Sequence, residues 1–202
     1  MKNNLKTKQL TKKIVSGKFK NRVLKLPSKT TTRSSKSIVL ESFFNTIQFD
    51  IIDATFVEVF SGSGSIGLEA LSRGAKNILF MEQDRDAIQV LKQNISLTDA
   101  SACEVFSGDS FSNIKAVVKT LKRNNQSAYF YIDPPFSIRE GMEDIYDKMI
   151  AMIASIPPEL TKLIIIEHMT GLELPENIGS YKMKKSKKFG NTSLKYFEEN
   201  ME

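Results

Sequence analysis

The tetrapeptide Asp133-Pro134-Pro135-Phe136 has the residue types needed to hold an aromatic amine. It follows the apolar run 128–132, so we expect it at the end of a buried strand. Two prolines remove two backbone N–H donors and stiffen the turn, which leaves the carbonyl groups and the Asp133 carboxylate as acceptors. Such a turn suits a planar –NH₂ group, and Phe136 offers a flat face on which a flipped-out base can stack. The alternative interpretation is an ordinary turn without function.

A glycine-rich turn with the spacing G-x-G-x-x-G forms a second candidate site. Gly62, Gly64 and Gly67 follow the apolar, β-branched run 55–60 and precede a helix that begins near Leu68. A glycine turn between a strand and a helix lets the backbone approach a ligand closely, with free N–H groups directed at it. Because this spacing alone is a weak signal, it predicts a nucleotide-sized ligand without identifying it.

Two carboxylates come at the ends of the next predicted strands. Glu82 lies twenty residues after Gly62, where a carboxylate can accept both hydroxyls of a ribose. The competing role, capping the following helix, fits Asp84 better. Asp109 either accepts from the exocyclic amine of an adenine or caps a helix that starts at Ser110, and both roles stay open.

The glycines and these carboxylates suit NAD as well as S-adenosylmethionine. The Asp133 turn distinguishes the two cofactors, because a dehydrogenase has no use for a group of acceptors that holds an amine. Holding both amine hydrogens aims the nitrogen at a methyl group, and a carboxylate favours the partial positive charge that develops on that nitrogen. The sequence therefore favours methyl transfer to an amine.

The positions of the strands and helices explain how these residues meet. Strands and helices alternate with the spacing of βαβ units, which predicts an α/β fold whose mostly parallel sheet is covered on both faces. Ligands of such folds bind beyond the carboxyl ends of the strands, where the candidate residues lie. The seven predicted strands are Thr55–Phe60, Lys76–Met81, Cys103–Phe106, Ala128–Ile132, Leu163–Ile166 and an antiparallel final hairpin, Tyr181–Lys188 with Thr192–Phe197.

Basic residues are concentrated at both ends of the chain. Residues 1–40 carry twelve Lys and Arg and no acidic residue, residues 181–188 carry five lysines, and residues 41–180 have 11 basic and 20 acidic residues. Two basic segments that flank an acidic body favour a nucleic-acid surface over a merely solubilising tail. The candidate RNA-binding residues are Lys18, Lys20, Arg22, Arg33, Lys184, Lys185, Lys187 and Lys188.

The chain divides into three predicted parts. Residues 1–13 predict a basic disordered arm, residues 14–33 a small β-hairpin extension, and residues 34–202 the α/β domain. Ser34 or Ser35 is the expected cap of that domain's first helix. Within the extension, Phe19 is interpreted as a packing residue rather than a base-stacking one.

The composition excludes several classes of protein. A single cysteine, Cys103, rules out an internal disulfide and is typical of a reducing cytoplasm, so we expect cytoplasmic localisation. A single histidine, His168, rules out a multi-histidine metal site; we expect no metal and assign this histidine no role. No apolar run approaches the ~20 residues of a membrane span, so no membrane partner is expected.

Beyond its separate motifs, the chain resembles the RsmD family, bacterial enzymes that methylate guanine N2 in small-subunit (16S) ribosomal RNA. Asp-Pro-Pro-Phe is the motif of amine-directed methyltransferases that use S-adenosylmethionine. The resemblance runs from about Ile14 to Phe197. The matching segments, in family order, are Ile14–Phe19, Phe60–Ala75, Met81–Asp84, Asp133–Phe136, Glu167–His168 and Lys188–Thr192.

The resemblance implies a Rossmann-like class I methyltransferase fold with S-adenosylmethionine as cofactor. It implies a ribosomal RNA partner, within an assembled or assembling small subunit, and we expect the enzyme to be a monomer. Glu82 would hold the cofactor's ribose, Asp109 its adenine, and residues 133–136 the target amine. The residues implied at the methionine end of the cofactor are Glu58, Phe60, Gly62, Gly64 and Gly67.

One segment departs from the family. Where the family reads Pro-Thr-Thr-Asp-Arg-Val-Arg-Glu after an arginine, this chain has residues 34–41, and only Arg33, Val39 and Glu41 keep their places. Since this segment would close over the cofactor and help to position RNA, we expect loop closure, cofactor affinity or substrate choice to differ.

Three other functions remain as alternatives. A DNA adenine-N6 methyltransferase would also hold a ring amine, although the chain lacks a large target-recognition insertion. A non-catalytic RNA-binding protein would not need the intact Gly62, Glu82 and Asp133. An NAD-dependent oxidoreductase would leave residues 133–136 unexplained.

Overall fold

A computed structural model describes residues 10–27, 37–135 and 144–201 of the chain. No helix in these ranges has the length and hydropathy to cross a bilayer. Two single-turn 3-10 helices, Ala100–Ala102 and Pro158–Leu160, join the larger elements. The strands are β1 Thr11–Lys13, β2 Val23–Lys25, β3 Thr55–Val59, β4 Asn77–Glu82, β5 Cys103–Ser107, β6 Ala128–Ile132, β7 Thr161–Met169, β8 Asn177–Ile178, β9 Tyr181–Phe189 and β10 Thr192–Glu199. The helices are α1 Ser37–Thr46, α2 Ser65–Ser72, α3 Arg85–Ile95, α4 Ser110–Arg123 and α5 Ile145–Ala154.

The central sheet has the spatial order β5-β4-β3-β6-β7-β10-β9-β8. Strands β3 to β7 are parallel, and β10 runs antiparallel to both β7 and β9. The predicted α/β fold, with its parallel sheet and antiparallel C-terminal hairpin, is confirmed. The sheet has eight strands rather than the predicted seven, because Asn177–Ile178 pairs with the start of β9. A strand of two residues is too short to show a periodicity in the sequence.

Helices cover both faces of the sheet, which explains the uninterrupted apolar character of its parallel strands. The first face packs against the hairpin β1–β2 and helices α1, α2 and α3. The second face packs against α4 and α5. Every residue of β3 and β6 is buried, and β7 is buried from Leu163 to His168. The prediction that the sheet is covered on both faces is confirmed.

The hairpin begins earlier in the chain than the sequence suggested. Thr11 pairs with Lys25 and Lys13 with Val23, so the first strand lies inside the segment 1–13 that was predicted to be disordered. That segment is rich in lysine, and the lysine-rich composition hides the alternation of a strand. Residues 1–9 lie outside the described residues, as do Ser34 and Ser35, the expected caps of α1.

A buried carboxylate on α2 anchors the hairpin. Glu69 is 2% exposed and accepts hydrogen bonds from the backbone N–H of Val15 at 2.7 Å and of Ser16 at 3.1 Å. The same carboxylate accepts from Arg73 Nε at 2.7 Å. Further along the hairpin, a Cβ on Gly17 would lie 1.8 Å from the carbonyl oxygen of Ser72, so only glycine permits this contact.

Replacing Glu69 with Ala should loosen the hairpin, because the backbone N–H groups that it binds lose their acceptor. We expect the free energy of unfolding to fall by about 2–3 kcal/mol, measured by urea denaturation followed by circular dichroism. The control is Glu41→Ala, an exposed position in α1, which should change the stability by no more than about 0.5 kcal/mol. Equal losses in the two variants would contradict the anchoring role.

Candidate functional site

The carboxyl ends of β3, β4, β6 and β7 bring the predicted site residues to one edge of the sheet. Val59 pairs with Ile132, and Ile132 pairs with Ile166. Asp133 therefore follows β6 between its two neighbours, with Glu167 of β7 on one side and the glycine turn that follows β3 on the other. Adjacent strands lie about 4.8 Å apart, so side chains on the same face are neighbours. Phe136 and Arg33 lie outside the described residues.

The three glycines of the turn have different roles. A Cβ on Gly64 would lie 2.3 Å from Leu91 Cδ1, and one on Gly67 would lie 2.6 Å from Phe80 Cε1. These two glycines therefore allow the turn and α2 to pack closely on protein atoms. A Cβ on Gly62 would meet nothing within 4 Å, although its φ of +54° is left-handed. The expected close approach of backbone to a ligand thus fits Gly62 rather than the other two.

Phe60 introduces this turn in an unusual conformation. Its φ is +59°, a left-handed value that costs a non-glycine residue of the order of 1–2 kcal/mol. Its ring packs edge-on against that of Phe111, with 5.4 Å between the centroids. Strain of this kind is retained where the surrounding contacts fix the backbone, often at functional sites.

Glu82 ties the end of β4 to the glycine turn. Its Oε2 accepts from the N–H of Gly62 at 2.6 Å, and its Oε1 accepts from the N–H of Gln83 and of Asp84, both at 2.8 Å. The carboxylate is buried, and sequence inspection did not foresee these bonds. The two bonds to Oε1 use both of its lone pairs, whereas Oε2 keeps one for a ligand hydroxyl. Asp84 caps α3 by accepting from Ala87 N–H at 2.8 Å, as expected.

Asp109 caps α4. Its carboxylate accepts from the N–H of Ser112 at 2.9 Å and from the hydroxyl of the same residue at 2.7 Å. Of the two roles that the sequence left open, the structure shows the cap. The side chain is exposed at the carboxyl end of β5, and contact with an adenine remains a prediction.

Glu58 supports the glycine turn from within the protein. Its side chain is 3% exposed and accepts from the N–H of Gly67 at 2.7 Å and of Ile66 at 3.3 Å. Burial raises the pKa of Glu58 to about 8, although these backbone bonds and Lys12 act in the opposite direction. The first turn of α2 is therefore held by a carboxyl group at the edge of the sheet.

Asp133 belongs to a cluster of acidic groups on the first face. Tyr131, two residues before it, donates a hydrogen bond to Glu167 Oε2. Burial raises the pKa of Asp133 well above its usual range, and the charges of Glu167 and Glu58 raise it further. Glu167 was noted in the sequence only as part of a matching segment. Its position at the end of an apolar strand, like that of Asp133, is the signal that could have identified it.

Lys12 reaches this acidic cluster from the hairpin. Its side chain is half-buried, and Nζ donates to Ser65 Oγ, at the start of α2, over 3.4 Å. Burial lowers the pKa of Lys12, while the charges of Glu58, Glu167, Glu69 and Asp133 raise it. Nothing in the sequence distinguishes this lysine from the many other lysines near it.

The basic residues at the tip of the hairpin lie away from the acidic edge. The N–H of Lys18 donates to the carbonyl of Ser72, at the far end of α2. The eight residues of α2 span roughly 12 Å, which separates this tip from the glycine turn. Lys18, Lys20 and Arg22 are exposed, and Phe19 is buried at 7% exposure, which confirms its packing role.

The lysines of β9 differ among themselves. Lys184, Lys185 and Lys188 are exposed. Lys187 instead donates to Ser42 Oγ at 2.9 Å and to Thr46 Oγ1 at 3.2 Å. The ammonium group of Lys187 therefore joins β9 to α1, and it is less available to an RNA phosphate than the sequence suggested.

Comparisons with known proteins agree with this fold. The family described as "Conserved hypothetical protein 95" matches residues 12–198. "Putative rRNA methyltransferase YlbH" of Bacillus subtilis is 29% identical over 191 residues, covering 92% of this chain and 98% of that protein. "Ribosomal RNA small subunit methyltransferase D" of Escherichia coli strain K12 is 31% identical over 130 residues, covering 64% of this chain and 62% of that protein. The solved structure of "Putative methyltransferase yhhF from Escherichia coli" has a TM-score of 0.74 at 24% identity, covers 96% of this chain and 100% of its own, and shows the likeness of fold.

The packing of the glycine turn predicts that an alanine destabilises the protein more at Gly67 than at Gly62. Gly67→Ala places a Cβ under 3 Å from Phe80, Ile78 and Glu58, so we expect it to lower the free energy of unfolding by about 2–3 kcal/mol. Gly62→Ala meets no atom and should cost only about 1 kcal/mol, for its left-handed φ. Urea denaturation of both variants measures the difference. A Gly62→Ala variant as unstable as Gly67→Ala would contradict the open surroundings of Gly62.

Proposed function

Because the chain belongs to the family described as "Conserved hypothetical protein 95", the RsmD family of ribosomal RNA methyltransferases, we propose that it methylates guanine N2 in small-subunit (16S) ribosomal RNA. The cofactor is S-adenosylmethionine, which supplies a methyl group made electrophilic by the sulfonium. The substrate is a partly or fully assembled small subunit, and the enzyme acts as a cytoplasmic monomer. One observation carries the proposal: Asp133 and two prolines follow β6 directly beside the glycine turn.

The cofactor fits against the carboxyl ends of the neighbouring strands from β4 to β6. Glu82 has one lone pair left, on Oε2, for a ribose hydroxyl, and Gly62 exposes its backbone without a side chain. Asp109, at the neighbouring strand end, faces the adenine. A positive charge beside them, such as the cofactor's sulfonium or amino group, would favour the ionised forms of Glu58 and Asp133, whose pKa values burial raises. These features support S-adenosylmethionine over a dinucleotide.

The protein's contribution to methyl transfer is alignment. The Asp133 carboxylate and the Pro134 carbonyl accept the two hydrogens of the guanine amine, which directs the nitrogen lone pair at the methyl carbon. Phe136, outside the described residues, supplies the stacking face. Bound S-adenosylmethionine would supply the methyl group, and the electron pair of its C–S bond would stay on sulfur as the C–N bond forms. The proton then leaves a nitrogen that has become cationic, so no strong base is required.

Phosphate contacts complete the proposal. The exposed Lys18, Lys20 and Arg22 of the hairpin, with Lys184, Lys185 and Lys188 of β9, supply positive charge for the RNA backbone. Lys187 contributes less, because α1 holds its ammonium. Arg33, outside the described residues, is the remaining candidate.

Asp133→Ala should abolish methyl incorporation, a loss of about 100-fold or more, because the amine is no longer held in line. Binding of S-adenosylmethionine, followed by calorimetry, should persist. The matched control is Asp50→Ala, an exposed aspartate outside the site, which should keep wild-type activity. An active Asp133→Ala enzyme would refute the role assigned to this residue.

The target is tested by mapping methylated guanines in ribosomal RNA by mass spectrometry. Cells that lack this protein should lose one N2-methylguanine from the small-subunit RNA, and restoring the gene should return it. In vitro, labelled cofactor is offered with small subunits, naked RNA and DNA. Incorporation into DNA adenine alone would support the alternative of an adenine-N6 methyltransferase, and absence of cofactor binding would support a non-catalytic RNA-binding protein.

A further inference from the structure

A buried asparagine joins the hairpin to the glycine turn. Asn94, on α3, is 0% exposed, and its Nδ2 donates to the carbonyls of Lys25 and Ser63, both at 2.9 Å. Its Oδ1 accepts from the N–H of Lys25, also at 2.9 Å. Only this orientation of the amide matches donors with acceptors, so the side chain pairs with the backbone of β2 as a neighbouring strand would.

The Ser63 carbonyl receives from Asn94 a bond that α2 does not supply. The first bond within α2 goes to the carbonyl of Gly64, so Ser63 lies just outside the hydrogen bonds of the helix. The N–H of Gly67, the preceding donor, binds Glu58 Oε2 at 2.7 Å instead. Because Ser63 is buried, its carbonyl would be unfavourable without a donor, and Asn94 provides one.

The turn is therefore held from two sides. Glu82, at the end of β4, accepts from the N–H of Gly62, and Asn94 donates to the carbonyl of the next residue. Leu91 lies three residues before Asn94 on the same side of α3, and its Cδ1 would lie 2.3 Å from a Cβ on Gly64. The backbone of Gly62, whose surroundings are open, is thus fixed by contacts on both sides.

We propose that Asn94 is a positioning residue for the cofactor: it fixes the Ser63 carbonyl, and with it the turn that presents Gly62 to S-adenosylmethionine. The hairpin takes part, because Lys25 uses both its N–H and its carbonyl to orient the Asn94 amide. The segment with basic residues at its tip therefore contributes to cofactor binding through its other end. This inference concerns the cofactor alone and does not depend on which nucleic acid is the substrate.

Cofactor affinity in the absence of RNA tests this role. In Asn94→Ala the dissociation constant of S-adenosylmethionine, measured by calorimetry, should rise about tenfold, because the Ser63 carbonyl loses its donor and the turn loosens. Asn94→Leu keeps the shape of the side chain but has no polar atom, and it should weaken binding to the same extent. Wild-type affinity in either variant overturns the inference.

Two controls separate this effect from a general loss of stability. Gln93→Ala removes an exposed neighbour of Asn94 that accepts from Lys25 Nζ at 2.9 Å, and it should keep the wild-type affinity. Glu69→Ala loosens the hairpin just after β1 but leaves the bonds of Asn94 in place, so the dissociation constant should change by less than about twofold. A loss in either control as large as that in Asn94→Ala overturns the inference.

The contribution of the hairpin is tested at Lys25. Lys25→Pro removes the N–H that Asn94 accepts and should weaken cofactor binding about threefold or more. Lys25→Ala keeps the backbone bonds and loses only the exposed side chain, so it should not weaken binding. Equal affinities in the two variants overturn the part assigned to the hairpin.

Amide hydrogen exchange gives a readout that needs neither RNA nor bound cofactor. The N–H groups of Gly62 and Gly64 should exchange faster in Asn94→Ala than in wild type, and at the wild-type rate in Gln93→Ala. Faster exchange with weaker cofactor binding supports the inference even if RNA methylation is not found. Unchanged exchange and affinity in a variant that still methylates RNA overturn the role of Asn94 and leave the proposed function intact.

Discussion

Buried carboxylates that bind the backbone of the glycine turn are the constraint on which the site depends. Glu58 holds the first turn of α2, and Glu82 holds Gly62 against the end of β4. A buried carboxyl group is unfavourable unless donors use its lone pairs. The turn supplies those donors, so the bonds that satisfy the acids also fix the position of the turn.

The same edge accumulates more negative charge than the fold alone requires. Glu58, Asp133 and Glu167 lie at the ends of the adjacent strands β3, β6 and β7. Burial raises the pKa of Glu58 and of Asp133; repulsion from Glu82 raises the first further, and repulsion from Glu167 and Glu58 raises the second. A nearby cation favours the ionised form of such groups. Lys12 is one such cation, and a sulfonium is chemically suited to be another.

Much of the fold could be predicted because parallel strands covered on both faces are continuous apolar runs, as in β6 and β7. Glu82 and Asp133 could be predicted as candidate site residues because they stand at the carboxyl ends of parallel strands, β4 and β6. The hairpin start could not be predicted, because Lys12 is one lysine among many and only tertiary contacts choose it. Lys187 was assigned to RNA for the same reason: the sequence does not show which ammonium folds back onto a helix.

The separation of the basic residues at the hairpin tip, Lys18, Lys20 and Arg22, from the acidic edge has a consequence for recognition. Lys18 lies at the far end of α2, roughly 12 Å from the glycine turn, and Asp133 lies beside that turn. Contacts to phosphates set position and affinity, while contacts to the base set specificity. On the proposed function, these two tasks fall to different parts of the molecule. An RNA must then present backbone to the hairpin and an unstacked guanine to Asp133 at the same time, so its folded shape, rather than its sequence alone, would decide whether it is a substrate.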